Sequence, residues 1–187
     1  MRKLFILCAF LLQLLSPVYP QQATTATIEP NLKYGKPSKE ALSLTSYAPD
    51  TTATAIYLFH QGQSDFIYHD GFQLTTEHWV RIKILKPQGV SYADVSVPYY
   101  SPTDKDEGQE RASEIEGCSY NMENGKCIKT PMKRESISFE RFNNLYKILK
   151  FSLPAVKEGT IIEYHYKLYS DYFSHIDNWM MQEELPM

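Results

Sequence analysis

Cysteine is scarce in this chain, with three in 187 residues, and one of them, Cys8, lies in an apolar N-terminal run. The glycines form no phosphate-binding loop, no dinucleotide fingerprint and no G-x-S-x-G elbow, so three common routes to catalysis lack their backbone. Neither charge sign dominates: 19 Lys and Arg stand against 22 Asp and Glu. That balance leaves no basic footprint for nucleic acid and no polybasic segment for anionic lipid. Beyond residue 20 no apolar run is long enough to span a bilayer as a helix, which takes roughly 20 residues. No internal repeat is present.

The N-terminus holds the one long apolar stretch. Arg2 and Lys3 precede Leu4 to Leu15, and Ser16-Pro17 ends the run. Such a stretch is too short for a membrane helix but suits a secretory signal peptide over residues 1–20, with cleavage expected between Pro20 and Ala26. Losing Arg2 and Lys3 takes the 19 basic residues to 17 against 22 acidic ones, a net charge of −5. The expected destination is the periplasm or cell surface, with no membrane span after cleavage. Residues 21–32, rich in Thr, Gln and Ala, read as a flexible lead-in, and 33–187 as one domain.

What the chain has in quantity is period-two alternation with β-branched and aromatic residues, the mark of half-buried strands. Lys147–Ser170 shows it best. Two strands are joined there by a tight loop at Pro154 and Lys157-Glu158-Gly159, with Ile162, Tyr164, Tyr166 and Leu168 on one face. Ile161, Glu163, His165, Lys167 and Tyr169 take the other. Val80, Ile82 and Ile84 alternate with Arg81, Lys83 and Leu85, which predicts one buried and one wet face. Thr52–His60 is expected to end in a turn at Gly62, with Asp65–Tyr68 returning. Asp70-Gly71 is a second hairpin signal, and Ala93–Val97 reads as a short strand stopped by Pro98. Ser101–Arg111 reads as a solvated loop. Met132–Asn144 suits either a helix or an irregular edge, and a last strand is expected from Trp179. Ser38, with Pro37 before it, is placed to cap a short helix over Lys39–Leu44. Together these predict an all-β, antiparallel β-sandwich-like domain with one short N-terminal helix.

Asn124-Gly125 is the strongest short hairpin signal. A type I′ turn there sets Met122 opposite Cys127 and Cys118 opposite Pro131. Cys118 and Cys127 then lie roughly 13 Å apart at about 3.3 Å per residue, beyond the 7 Å or so that a disulfide tolerates between Cα atoms. Two free thiols follow.

Candidate chemistry is thin. His60, His69 and His78 recur every nine residues, with Asp65, Asp70 and Glu77 nearby, but that spacing follows strand ends rather than the close pairs zinc prefers. Cys118 with His165 is a conceivable thiol–imidazole couple, set mid-strand after Glu114 and Glu116 rather than in an electropositive niche. Glu183 and Glu184 point to opposite faces of a strand. Fourteen tyrosines, among them Tyr99, Tyr100, Tyr164, Tyr166, Tyr169 and Tyr172, either suit wet-faced strands or offer a rim for sugars or a protein partner. No catalytic residue, metal ligand or cofactor site is assigned.

Several stretches in order resemble one family: NLKYGKPSKEAL (31–42), YAPDTTATAIYLF (47–59), DGFQLTTEHWVRIKIL (70–85), YADVSVPYYS (92–101), GCSYNMENGKCIKTPM (117–132), KFSLPAVKEGTIIEYHYKLYS (150–170) and DNWMMQEELPM (177–187). It is the domain of unknown function found N-terminal to transglutaminase-like, papain-like domains in secreted proteins of Gram-negative bacteria. The resemblance implies a noncatalytic, sandwich-like module whose relatives carry their Cys-His-Asp machinery further along the chain. It gives Cys118 and Cys127 no catalytic role. It also implies a member cut short at its C-terminus, whose unpaired edge at Trp179–Leu185 would make it marginally soluble or pair two copies. The expected partner is a transglutaminase-like domain or another exported protein. The alternative is a stand-alone glycan- or peptide-binding module.

Overall fold

In the computed structural model the described residues are 34–68, 71–104, 108–172 and 185–187. The signal peptide, the lead-in, His69, Asp70, His175 and the expected strand from Trp179 up to Glu184 lie outside them. Among the described residues one α-helix, α1 (Lys39–Ser43), precedes eight strands: β1 (Ala55–Tyr68), β2 (Phe72–Ile84), β3 (Asp94–Tyr100), β4 (Glu110–Glu123), β5 (Lys126–Pro131), β6 (Ile137–Arg141), β7 (Tyr146–Ser152) and β8 (Ile161–Ser170). They form two antiparallel sheets, ordered β1-β2-β8-β4-β5 and β3-β7-β6. The chain is all-β. Among the described residues no helix is long and apolar enough to cross a membrane.

Alternation explains the core. Val80, Ile82 and Ile84 of β2 lie beside Ile162 and Tyr164 of β8, and this face meets Leu149 and Phe151 of β7 and Tyr99 of β3. Each such side chain contributes about 1.5–3 kcal/mol when fully buried. Gly117 of β4 lets the layers approach, since a Cβ there would stand 2.6 Å from Leu153 Cδ1.

The β4–β5 hairpin takes the expected register, with Met122 opposite Cys127 and Cys118 opposite Pro131. Asn124 and Gly125 both adopt positive φ, 50° and 75°, as a type I′ turn requires. Both thiols are free. Ser38 caps α1, its Oγ accepting from Ala41 N at 3.1 Å.

Four expectations are corrected. β1 runs straight through Gly62 and closes with β2 across Tyr68 and Phe72, because the ladder to β2 supplies partners on both sides of the glycine. Pro98 sits inside β3, opposite Ile148. β3 is an edge strand, where a missing N–H need leave no broken ladder bond. The two strands of Lys147–Ser170 lie in different sheets, so their loop crosses between layers and each strand is central in its own. Last, Arg81, Lys83 and Leu85 are buried, not wet. Residues 34–47 lie over that face, with Ala41, Leu42, Leu44 and Tyr47 packed on two small clusters that include Ile161 and Leu85. The ambiguous Met132–Asn144 resolves into a 3-10 turn at Arg134–Ser136 and the edge strand β6.

Leu185 is buried in the main core, and Pro186 O accepts from Tyr57 N at 2.9 Å on β1.

Candidate functional site

The outer face of the larger sheet carries the densest chemistry. At its centre Arg81 Nη2 donates to Glu163 Oε1 at 2.8 Å, with the two side chains 2% and 0% exposed. The same Oε1 accepts Gly35 N–H at 2.9 Å, and the guanidinium lies 4.6 Å over the Phe59 ring. A buried charge pair needs further hydrogen bonds to offset its desolvation. The N-terminal segment adds one at Oε1, while Glu163 Oε2 is buried with no hydrogen-bond partner among the described residues. One pair further along, Lys83 Nζ donates to Leu42 O at 2.8 Å and Gly159 O at 2.6 Å. Burial pulls this ammonium down to about 8. Charged groups therefore fasten residues 35–42 to the sheet.

Toward the other end the face opens. Glu77 accepts from Lys167 at 2.8 Å and lies 3.3 Å from His165 Nε2, whose ring stacks on Trp79 at 4.9 Å. Tyr169 donates to Glu114 at 2.7 Å. The Lys167 hydrogen bond holds the Glu77 carboxyl below its usual range, and the Glu77 hydrogen bond raises Lys167 in turn. These cross-strand pairs are what adjacent antiparallel strands make of opposite charges.

Cys118 and His165 share this face, diagonal across β4 and β8. Cys118 is 3% exposed and burial pushes its thiol up, the opposite of what a nucleophile needs. Cys127 is exposed on β5. His60 and His78 lie on the inner face, rings 6.3 Å apart, His78 stacked 4.5 Å from Tyr166. Burial, then the charges of His60 and His165, pulls His78 down to about 4. Among the described residues no three metal-ligating side chains converge. Of the tyrosines, Tyr99, Tyr164 and Tyr166 are core. Tyr100, Tyr146 and Tyr172 meet edge-on at 5.4–5.6 Å on the rim. At the β1–β2 tip Phe66, Tyr68 and Phe72 are each more than half exposed.

A groove of about 700 Å³ runs along β4. β5 pairs with β4 only from Cys118 to Glu123. Over Ala112–Glu116 no described strand therefore covers the outward edge. The register slips between Ser113 and Glu116, where Glu114 takes φ 54°. Tyr34 borders the groove on one side, and Met132, Ile137 and Phe139 on the other, with Lys129 and Arg134 near the end of β5.

Sequence reasoning missed both the charge centre and this groove. Arg81 and Lys83 flanked by Val80, Ile82 and Ile84, with Glu163 inside an equally apolar strand, was the legible sign of the first. The groove had none, because it depends on where β5 stops relative to β4.

Compared with known families, residues 70–187 match the model of a "Domain of Unknown Function with solved-structure structure (DUF3857)". No curated protein matches. A solved structure from Parabacteroides distasonis ATCC 8503, described as a "putative protease", aligns with TM-score 0.44 at 10% identity over 63% of this chain. The alignment spans 23% of that protein's length.

Proposed function

Since the chain belongs to the DUF3857 family, we propose that it is a noncatalytic exported module, the accessory N-terminal part of a transglutaminase-like protein. The observation that carries this reading is how the ionisable groups are spent. Arg81, Glu163 and Lys83 are consumed in holding residues 35–42 on the sheet, and the Cys118 thiol is sealed beneath them with its pKa raised. Export rests on the Arg2-Lys3 and Leu4–Leu15 pattern. The accessory role rests on the family resemblance.

Two experiments test it. The genomic reading frame beyond the codon for Met187 is expected to continue into a Cys-His-Asp domain. Purified chain given a glutamine peptide with a fluorescent amine, or a fluorogenic peptide amide, is expected to give no turnover above the blank. Turnover abolished by Cys118→Ala would overturn the noncatalytic reading. A stop codon after Met187 would favour the second reading, a stand-alone glycan- or peptide-binding module. The exposed Phe66, Tyr68 and Phe72 and the Tyr100–Tyr146–Tyr172 rim support that alternative.

A further inference from the structure

The stretch of β4 that no described strand covers has the features of a strand acceptor. Ala112–Glu116 runs alongside Leu168–His165 of β8 with one extra residue at the bulge, so it presents a backbone edge of about 10 Å at roughly 3.3 Å per residue. Backbone groups on such an edge pair readily with another extended chain. β5 ends at Pro131, whose missing N–H stops the hairpin from extending further, and Met132 N turns back to Gly117 O at 2.8 Å. The groove beside the edge, about 700 Å³, lies within the range of about 300–1,000 Å³ usual for ligand clefts. Its apolar wall is Ile115, Met132, Ile137 and Phe139, with Phe139 52% exposed.

Charge gives the groove a direction. Lys129 and Arg134 stand at the end nearest Cys118, and neither forms an ion pair among the described residues. Glu116 lies further along, and Glu114, which also borders the groove and takes a left-handed backbone, is engaged by Tyr169. Bulges of this kind re-aim side chains beside binding sites as well as blunting edges.

We propose that this groove docks one extended peptide segment of a partner protein. The segment adds a strand to Ala112–Glu116, sets alternate apolar side chains against Ile115, Ile137 and Phe139, and carries carboxylates at the end that meets Lys129 and Arg134. Main-chain bonds supply affinity and alternate side-chain pockets supply selectivity, as in other strand-addition complexes. A second copy of this chain is a poorer occupant. Its own β4 edge is recessed between Tyr34 and Phe139 and interrupted by the same bulge, so two copies cannot lie flush. The proposal stands whichever reading of the overall function holds, because it concerns a different surface from the aromatic rim.

The test uses fluorescein-labelled hexapeptides of alternating Val and Thr, ended by Glu-Glu or by Lys-Lys, with anisotropy and amide hydrogen exchange on the full chain. The Glu-ended peptide is expected to bind more tightly and to slow exchange at Ala112–Glu116. The double variant Lys129→Glu/Arg134→Glu should weaken it at least tenfold and favour the Lys-ended peptide. Phe139→Ala should weaken both about tenfold, and Tyr68→Ala should change neither. All four residues are exposed, so the variants are expected to melt like the parent. No binding at millimolar peptide, equal affinity for both ends, or protection at Ala112–Glu116 that tracks protein concentration would each overturn the proposal. The last of these would assign the edge to a second copy.

Discussion

Glu163 occupies the middle of the central strand with no exposed surface, a place carboxylates reach only when paired. Its Oε1 bonds to Arg81 Nη2 and Gly35 N offset part of the burial cost, while Oε2 has no hydrogen-bond partner among the described residues. Glu163→Ala or Arg81→Ala, each leaving the other charge buried alone, should cost about 3–5 kcal/mol in urea unfolding. The double variant Arg81→Met/Glu163→Leu should cost much less than the sum, since no charge is then stranded. His78 gives a pH dependence. Its imidazole takes a proton at about 4 in the folded chain against 6.5 when free. Between those values the unfolded state binds more protons, so stability falls as pH drops from about 6.5 to about 4 and is fully retained above that window. His78→Phe, which keeps a ring against Tyr166, should flatten that decline. Urea midpoints at about pH 7 and pH 5, compared between parent and variant, measure it.

Among the elements, the register of the β4–β5 hairpin was readable because a two-residue turn fixes it locally. Asn124-Gly125 dictated that Cys118 and Cys127 would stand apart, and they do. Other local signals misled where a neighbouring strand outvoted them: Gly62 stays extended because β2 pairs on past it, and Pro98 is accepted at an edge. β4 depends on a different constraint, the space at Gly117. Gly117→Ala should cost about 1–3 kcal/mol by overpacking against Leu153, read by thermal or urea unfolding. Adding Leu153→Val, which shortens the obstructing side chain, should recover part of the loss. An alanine that costs nothing would mean that the Leu153 side chain turns aside without penalty.

On the scale of the whole molecule, residues 34–47 act as a cover for one face of the larger sheet. With that cover in place, dithionitrobenzoate should modify Cys127 rapidly and Cys118 slowly. A chain deleted through Leu44 should expose Cys118 and speed its reaction at least tenfold. Equal rates for both thiols in the intact chain would show that the cover opens freely. The sequence by itself determined the all-β class, the cap on α1, the hairpin register and the separation of the thiols. Each of these depends on residues within a few positions of one another, so local sterics and hydrogen bonding decide them. Only the tertiary structure decided that Arg81, Lys83 and Glu163 are interior and that β7 and β8 part into different layers. The same holds for the β4 edge, which no described strand covers over Ala112–Glu116. Those outcomes depend on which distant segment lies over a face or beside a strand. Alternation marks two faces of a strand, but burial of the second follows from a covering segment some forty to 130 residues away in the chain.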